Sequence, residues 1–233
     1  MERSVAAVIC AAGASRRMEG VKKEFLPLPG SGLTVLGSSL STFALSPRIK
    51  YIVITVPHEL EGETRDSLPA DIIAEGRVLF AEGGDTRRAS VHNALKRLEP
   101  YNPAFVLIHD GARPWVSPEL IERVIDTAIK FGAVIPALPL LETPKELEDD
   151  MTGGEPAFIK RHLRRATLCG AQTPQGFKFA EILTAHEKAA GREKNEKIEY
   201  TDDAEVWGEF IGKVAVIKGS PQNKKITYPE DIQ

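Results

Sequence analysis

Val5-Ala6-Ala7-Val8-Ile9-Cys10-Ala11-Ala12-Gly13-Ala14-Ser15-Arg16-Arg17-Met18 is the stretch around which the chain reads. Its first six residues are small or branched and apolar, which predicts a buried strand. A turn of tiny side chains follows, and then four cations: Arg16, Arg17, Lys22 and Lys23. Small residues let a ligand come close to the backbone, whose N–H groups can then point at anionic oxygens. Clustered Arg and Lys supply the balancing charge. The stretch reads as a polyphosphate cradle for a nucleotide. Taken alone, Ala11-Ala12-Gly13 serves a tight strand-to-helix turn equally well.

The 233 residues fit one large α/β domain or two small ones. Hydrophobic residues make up 42% and charged residues 27%, as in a globular protein. A formal charge of −3 excludes bulk electrostatic binding of nucleic acid, so the cations of the first loop read as a local site. Cys10 and Cys169 form no disulfide framework or metal pattern and read as structural thiols. No apolar run approaches the roughly 20 residues of a membrane span. The first strand follows Arg3 closely, and a soluble, cytoplasmic protein is expected.

Further along, a helix is expected from near Thr34 and a strand over 51–56. A polar helix over 59–68 and a strand over 77–81 follow. Glu82-Gly83-Gly84-Asp85-Thr86-Arg87-Arg88 opens a helix whose apolar positions 91, 94, 95 and 98 share one face. A glycine turn there collects free N–H groups and the positive dipole end at one point. The strand over 104–109 ends in Asp110-Gly111-Ala112-Arg113-Pro114, and Ser117-Pro118-Glu119 starts another helix. A strand is expected over 133–138. This alternation predicts a mostly parallel sheet with helices on both faces, its ligand loops at the carboxyl ends of the strands.

Residues 139–165 interrupt the rhythm with polar turns and a basic run from Lys160 to Arg165. They read as an excursion: a lid, an arm or an oligomer contact. Gln172 to Phe177 is expected to lead into a helix over 178–190, with 191–199 a charged, solvated loop. A short helix opening at Asp202-Asp203, a strand over 214–217 and a return segment over 223–227 complete the reading. No repeat or linker divides the chain, so residues 1–233 are expected to form a single domain.

Two phosphate motifs are excluded. Gly13 to Gly20 is too long for a P-loop, and Ser15 and Met18 stand where a dinucleotide fingerprint needs glycine. No histidine spacing suits a metal and no nucleophile elbow is present. Parallel topology would bring Lys23, Asp85, Arg87, Asp110 and Arg113 to one sheet edge. An aspartate beside a phosphate site is a natural Mg²⁺ ligand. A turn role for Asp110 and a surface salt bridge for Arg113 are the plainer readings of each residue singly. His109 reads as a structural strand-end residue.

Seven segments in register resemble the 2-C-methyl-D-erythritol 4-phosphate cytidylyltransferase family. They are Ala11-Ala12-Gly13 with Arg16-Arg17-Met18, Lys23 to Leu28, Gly83 to Val91, His109 to Pro114, Gln172 to Phe177, Thr201 to Ala204, and Asn223 to Asp231. The resemblance implies a Rossmann-like fold of the nucleotide-diphospho-sugar transferase type with a protruding arm. It also implies transfer of cytidylate from CTP to methylerythritol 4-phosphate, with release of pyrophosphate, in non-mevalonate isoprenoid synthesis. A ribitol or other pentitol phosphate is the alternative acceptor, and a non-catalytic nucleotide sensor a more distant alternative.

By motif position the resemblance implies that Arg17 and Lys23 steady the triphosphate and the transition state. Ala11, Ala12, Gly13 and Ala14, with Gly84, Asp85, Arg87, Ser90 and Gly111, would hold the nucleotide. Asp110 would bind Mg²⁺ and face the substrate. Arg113, Thr143, Arg165, Thr201 and Lys225 would hold the sugar phosphate, Arg165 and Lys225 also acting in catalysis. The 139–165 arm would embrace a second subunit and complete a homodimer. Three departures stand out. Ser15 replaces a frequent glycine, Lys22-Lys23-Glu24 replaces the usual Pro-Lys-Gln, and Pro221-Gln222 offers no carboxylate. Both Lys22 and Lys23 are candidates for the phosphate contact, and the following Phe-Leu-Pro-Leu favours Lys23.

Overall fold

The computed structural model describes residues 4–13, 15, 18, 21–149, 156–196 and 198–232. Strand β1 (Val5–Cys10) is an interior strand of the main sheet. Helix α1 (Val35–Ala44) follows, capped by the Thr34 hydroxyl on the Gly37 N–H. Then come β2 (Ile49–Val56), α2 (Glu61–Asp66), α3 (Ala70–Ala74) and β3 (Val78–Glu82). The expected polar helix over 59–68 is thus a 3₁₀ turn plus the short α2. Pro69 separates it from α3, because proline disfavours helix in the residue before it.

Helix α4 (Arg87–Leu98), β4 (Phe105–Asp110), α5 (Pro118–Phe131) and β5 (Ala133–Pro139) continue the alternation. Thr86 and Ser117 cap the two helices, and Gly132, at φ 90°, ends the second. Two short strands, β6 (Lys145–Leu147) and β7 (Ile159–His162), pair with each other in a separate two-stranded sheet. After β8 (Cys169–Ala171) come β9 (Gln175–Lys178), α6 (Phe179–Glu196), α7 (Asp203–Phe210) and β10 (Ala215–Lys218).

The main sheet runs β10-β5-β9-β4-β1-β2-β3, with β8 beside β5. The pairs β10–β5, β4–β1, β1–β2 and β2–β3 are parallel. Strand β9 lies antiparallel between β4 and β5, a position the sequence reading had given to a helix approach. Gly176 makes that strand possible, since an added Cβ would stand 2.8 Å from Val124 of α5. The segment 191–199 also differs from its reading. Helix α6 continues to Glu196, with Arg192 paired to Glu196 one turn on and Glu193 to Arg88.

Alternate residues of β1 feed two cores. Val5, Ala7 and Ile9 face the layer of α1 and α5, with Leu40, Phe43 and Val124. Ala6 and Val8 face α4, α6 and α7, with Leu95, Ile182 and Trp207. Each large side chain removed from water contributes roughly 1.5–3 kcal/mol, so two such layers fix β1 firmly. Chain order moves from β1 outward to β2 and β3, then returns to β4 on the other side of β1. That reversal opens a crevice at the carboxyl ends of β1 and β4. Cys10 pairs there with Asp110 on one side and Thr55 on the other.

Candidate active site

A cavity of about 510 Å³ occupies the crevice. Ala12 and Gly13 line it from the loop after β1, and Gly84, Asp85, Arg87 and Ser90 from the loop after β3 and the start of α4. Asp110, Lys23 and Lys225 reach it from three further segments. The glycines after β3 are there for close approach. A Cβ on Gly83 would stand 2.4 Å from Ala12, and one on Gly84 would stand 2.5 Å from Ala89. Ser90 ties this loop to its helix, its hydroxyl accepting from the Gly84 N–H at 3.0 Å.

The charges converge on Asp110, whose side chain is 11% exposed. Lys225 Nζ stands 2.9 Å from Oδ2, Arg113 Nε 3.4 Å from the same oxygen, and Arg87 Nε 3.5 Å from Oδ1. Burial works to raise the Asp110 pKa, but Arg87, Lys225 and Arg113 together hold the carboxyl far below the ordinary range. Its N–H donates to the Thr173 hydroxyl, and Asn223 Nδ2 donates to the Thr173 carbonyl at 2.7 Å. This bond brings the return segment bearing Lys225 across the crevice. A buried His109 contacts the Thr173 hydroxyl through Nδ1 and the Arg113 carbonyl through Nε2. Burial lowers its pKa to about 4, so it is a neutral structural group, as its position in the sequence implied.

Lys22 and Lys23 separate cleanly. Lys22 Nζ donates to the Gly13 carbonyl at 2.9 Å and so braces the loop. Lys23 is buried and lines the cavity. Beside it Glu24 is buried too, 3.3 Å from the Ser15 hydroxyl, and burial raises its carboxyl above the ordinary value. Ser15 holds φ at 49°, the conformation a glycine would take without cost.

Other expectations fall differently. Ala14 and Arg17 lie outside the described residues. Ala11 gives its N–H to the Thr55 carbonyl at 3.0 Å and so serves the sheet. Gly111 does not line the cavity; its N–H is on the Cys10 carbonyl, where a Cβ would meet that oxygen at 3.0 Å. Arg113 is turned inward, donating to the Asn223 carbonyl at 2.9 Å. Thr143 and Arg165 sit at the base of the β6–β7 hairpin, both exposed, and Arg165 donates to the Leu141 carbonyl. Neither lines the crevice of its own chain, and Thr201 spends its hydroxyl on Glu205. Cys10 borders the cavity with its thiol pushed up to about 12 by burial, while Cys169 is exposed and not the buried thiol a structural role implies.

Asp203 and His186 were missed. Arg87 Nη1 donates to Asp203 at 2.8 Å, and His186 Nε2 stands 3.2 Å from the other Asp203 oxygen, off the line of a good hydrogen bond. Burial pushes Asp203 up, but Arg87 and then His186 outweigh it and hold the carboxyl below its usual value. The available signal was a histidine on the apolar face of α6, in step with Ile182 and Ala189.

Known proteins match this chain over nearly its whole length. The family described as 2-C-methyl-D-erythritol 4-phosphate cytidylyltransferase matches residues 5–233. The chain belongs to that family. Within it, the cytidylyltransferase of Pelotomaculum thermopropionicum is 36% identical over 230 residues, 98% of this chain and 91% of that protein. The bifunctional enzyme IspD/IspF of a Bradyrhizobium species is 37% identical over 233 residues. There the match covers 99% of this chain and 55% of the relative, so the chain spans about half the length of such bifunctional proteins. The 4-diphosphocytidyl-2C-methyl-D-erythritol synthase of Anaerococcus prevotii superposes with a TM-score of 0.80 at 29% identity. That superposition covers 99% of this chain and 93% of the other.

Proposed function

We propose that this chain transfers a cytidylyl group from CTP to 2-C-methyl-D-erythritol 4-phosphate, giving the diphosphocytidyl ester and pyrophosphate. One observation carries the reading: Lys23, Arg87 and Lys225 converge with Asp110 on a single cavity at the switch point of the sheet. The acceptor phosphate is already anionic, so attack on the α-phosphorus requires no general base. What the step requires is alignment and neutralisation of charge on the oxygens. Lys23 and Arg17 serve the triphosphate, and Lys225 serves the incoming phosphate. Ala12, Gly13, Gly84, Asp85 and Ser90 enclose the nucleoside.

Magnesium fits this cavity in one way. Among the described residues no group of three metal-ligating side chains exists, and Asp110 is the carboxylate placed beside the cationic cluster. Mg²⁺ is held by one or two carboxylates when substrate phosphates complete its shell, so Asp110 would hold it only together with the nucleotide. The ion's contribution there is to neutralise phosphate charge and fix the phosphate geometry.

The arm belongs to the same reading. Strands β6 and β7 pair outside the main sheet, and Leu141 and Phe158 beside them are 85% and 72% exposed. Such apolar exposure supports a second subunit as the cover, with Thr143 and Arg165 delivered to the partner's crevice as a homodimer. The chain as a whole thus reads as one domain with a dimerisation arm. Among the described residues no helix is long and apolar enough to cross a membrane, and we place the reaction in the cytoplasm.

Incubation with CTP, Mg²⁺ and methylerythritol 4-phosphate should release pyrophosphate and give the cytidine diphosphate ester in equal amounts by mass spectrometry. Hydrolysis of CTP without ester formation would contradict the proposal.

A further inference from the structure

Behind the cavity wall lies a second layer of charge. Asp203 is 1% exposed, at the first turn of α7, and its carboxylate meets Arg87 Nη1 at 2.8 Å. The same guanidinium reaches Asp110 through Nε at 3.5 Å. Arg87 therefore spans two carboxylates on strand and helix ends that are distant in sequence. We propose that Asp203 is a positioning residue of the transfer site, fixing Arg87 against Asp110 so that the cationic cluster is assembled before substrate arrives. This rests on the cytidylyl-transfer reading.

Helix capping does not account for Asp203. That role belongs to Asp202, whose Oδ1 accepts from the Glu205 N–H at 2.8 Å. Gln175 of β9 holds both neighbours of Asp203, one through its side chain and the other through its backbone. Its Nε2 donates to Asp202 Oδ2 at 2.8 Å, and its Oε1 accepts from the Ala204 N–H at 3.0 Å. A buried carboxylate is costly unless paired, and well-packed apolar residues would stabilise this spot at least as well. Geometry is what an ion pair here adds. The planar fork of Arg can meet two acceptors in fixed directions, which a flexible cation cannot do. Arg87, Arg113 and Lys225 against Asp110 and Asp203 leave the cluster one positive charge in excess, suited to phosphate.

The test is a double-mutant cycle on the full chain: wild type, Asp203→Asn, Arg87→Met and the pair. The readouts are kcat, KM for CTP, the CTP dissociation constant and the thermal midpoint. Asp203→Asn should lower kcat/KM roughly tenfold or more, with most of the loss in kcat, as outer-shell partners of a site typically do. The double variant should be no worse than Arg87→Met alone, because the two act as a unit. Asp203→Glu, which keeps the charge, should recover part of the loss.

Wild-type kcat/KM in Asp203→Asn at a lowered thermal midpoint would overturn the proposal, as would additive losses in the pair. If Asp203→Asn does not fold, Arg87→Lys takes its place. It keeps the charge but cannot bridge both carboxylates, so a tenfold loss of kcat at an unchanged midpoint supports the proposal and full activity overturns it. Absence of cytidylyl transfer in the wild type would instead remove the reading beneath it.

Discussion

Lys225 Nζ lies 2.9 Å from Asp110 Oδ2, although the two residues are 115 positions apart, on segments joined through Thr173 and Asn223, by Arg113 on the Asn223 carbonyl and by the Ile226 N–H on the Ala112 carbonyl. The pair forms part of the crevice wall. Asp110 thereby has three cationic neighbours, and the site stores its positive charge around one carboxylate.

Removing that carboxylate should expose the stored repulsion. Asp110→Asn is expected to destabilise the protein by about 3 kcal/mol, the usual effect of breaking a buried pair. Added pyrophosphate should return part of the lost thermal midpoint by satisfying the cations. A midpoint equal to wild type would show that the cluster contributes nothing to stability.

The two lysines should behave differently. Lys23→Ala is expected to lower kcat about 100-fold with a smaller change in CTP affinity, because its contact strengthens as charge moves in the transition state. Lys22→Ala removes a brace on the Gly13 carbonyl and should alter kcat by less than about threefold. Steady-state pyrophosphate release decides between them, and the reverse order would move the triphosphate contact to Lys22.

Gly84→Ala places a Cβ 2.5 Å from that of Ala89, so the loop after β3 must shift away from α4. Overpacking of this kind costs roughly 1–3 kcal/mol. The expected result is a raised KM for CTP with little change in KM for the acceptor. Equal effects on both would place the loop elsewhere in the reaction.

His109 supplies a pH signature. Its folded pKa is lowered to about 4 from an ordinary 6.5, so the native state stays neutral where the unfolded chain takes up a proton. Stability from this group is complete above pH 6.5 and is lost as pH falls to about 4, on the order of 3 kcal/mol in all. Asp110 and Asp203, held low, add a further loss below the ordinary carboxylate range near pH 4. Urea midpoints between pH 7 and 4 should therefore fall less steeply in His109→Asn than in the wild type.

Much of this was legible in local sequence. The apolar run of β1, the caps Thr34, Thr86 and Ser117, and the stop at Gly132 each act within a few residues, so the α/β alternation could be read directly. Strand β9 could not, because Gln175-Gly176-Phe177-Lys178 has no strand pattern of its own and is held by β4, β5 and the space beneath α5. The extension of α6 was hidden because charged residues, not apolar ones, sustain its last turns. Lys23 and Asp110 were named from their motifs. Asp203 reads in the sequence only as the opening of a helix, since its partner Arg87 lies 116 residues earlier and only the fold joins them.

The most direct test is the ratio of kcat/KM for methylerythritol 4-phosphate to that for ribitol 5-phosphate, each with saturating CTP and Mg²⁺. The expected preference is at least about 100-fold for methylerythritol 4-phosphate, within the range that well-matched polar contacts give. Equal turnover of the two acceptors, or a preference for ribitol 5-phosphate, would contradict it.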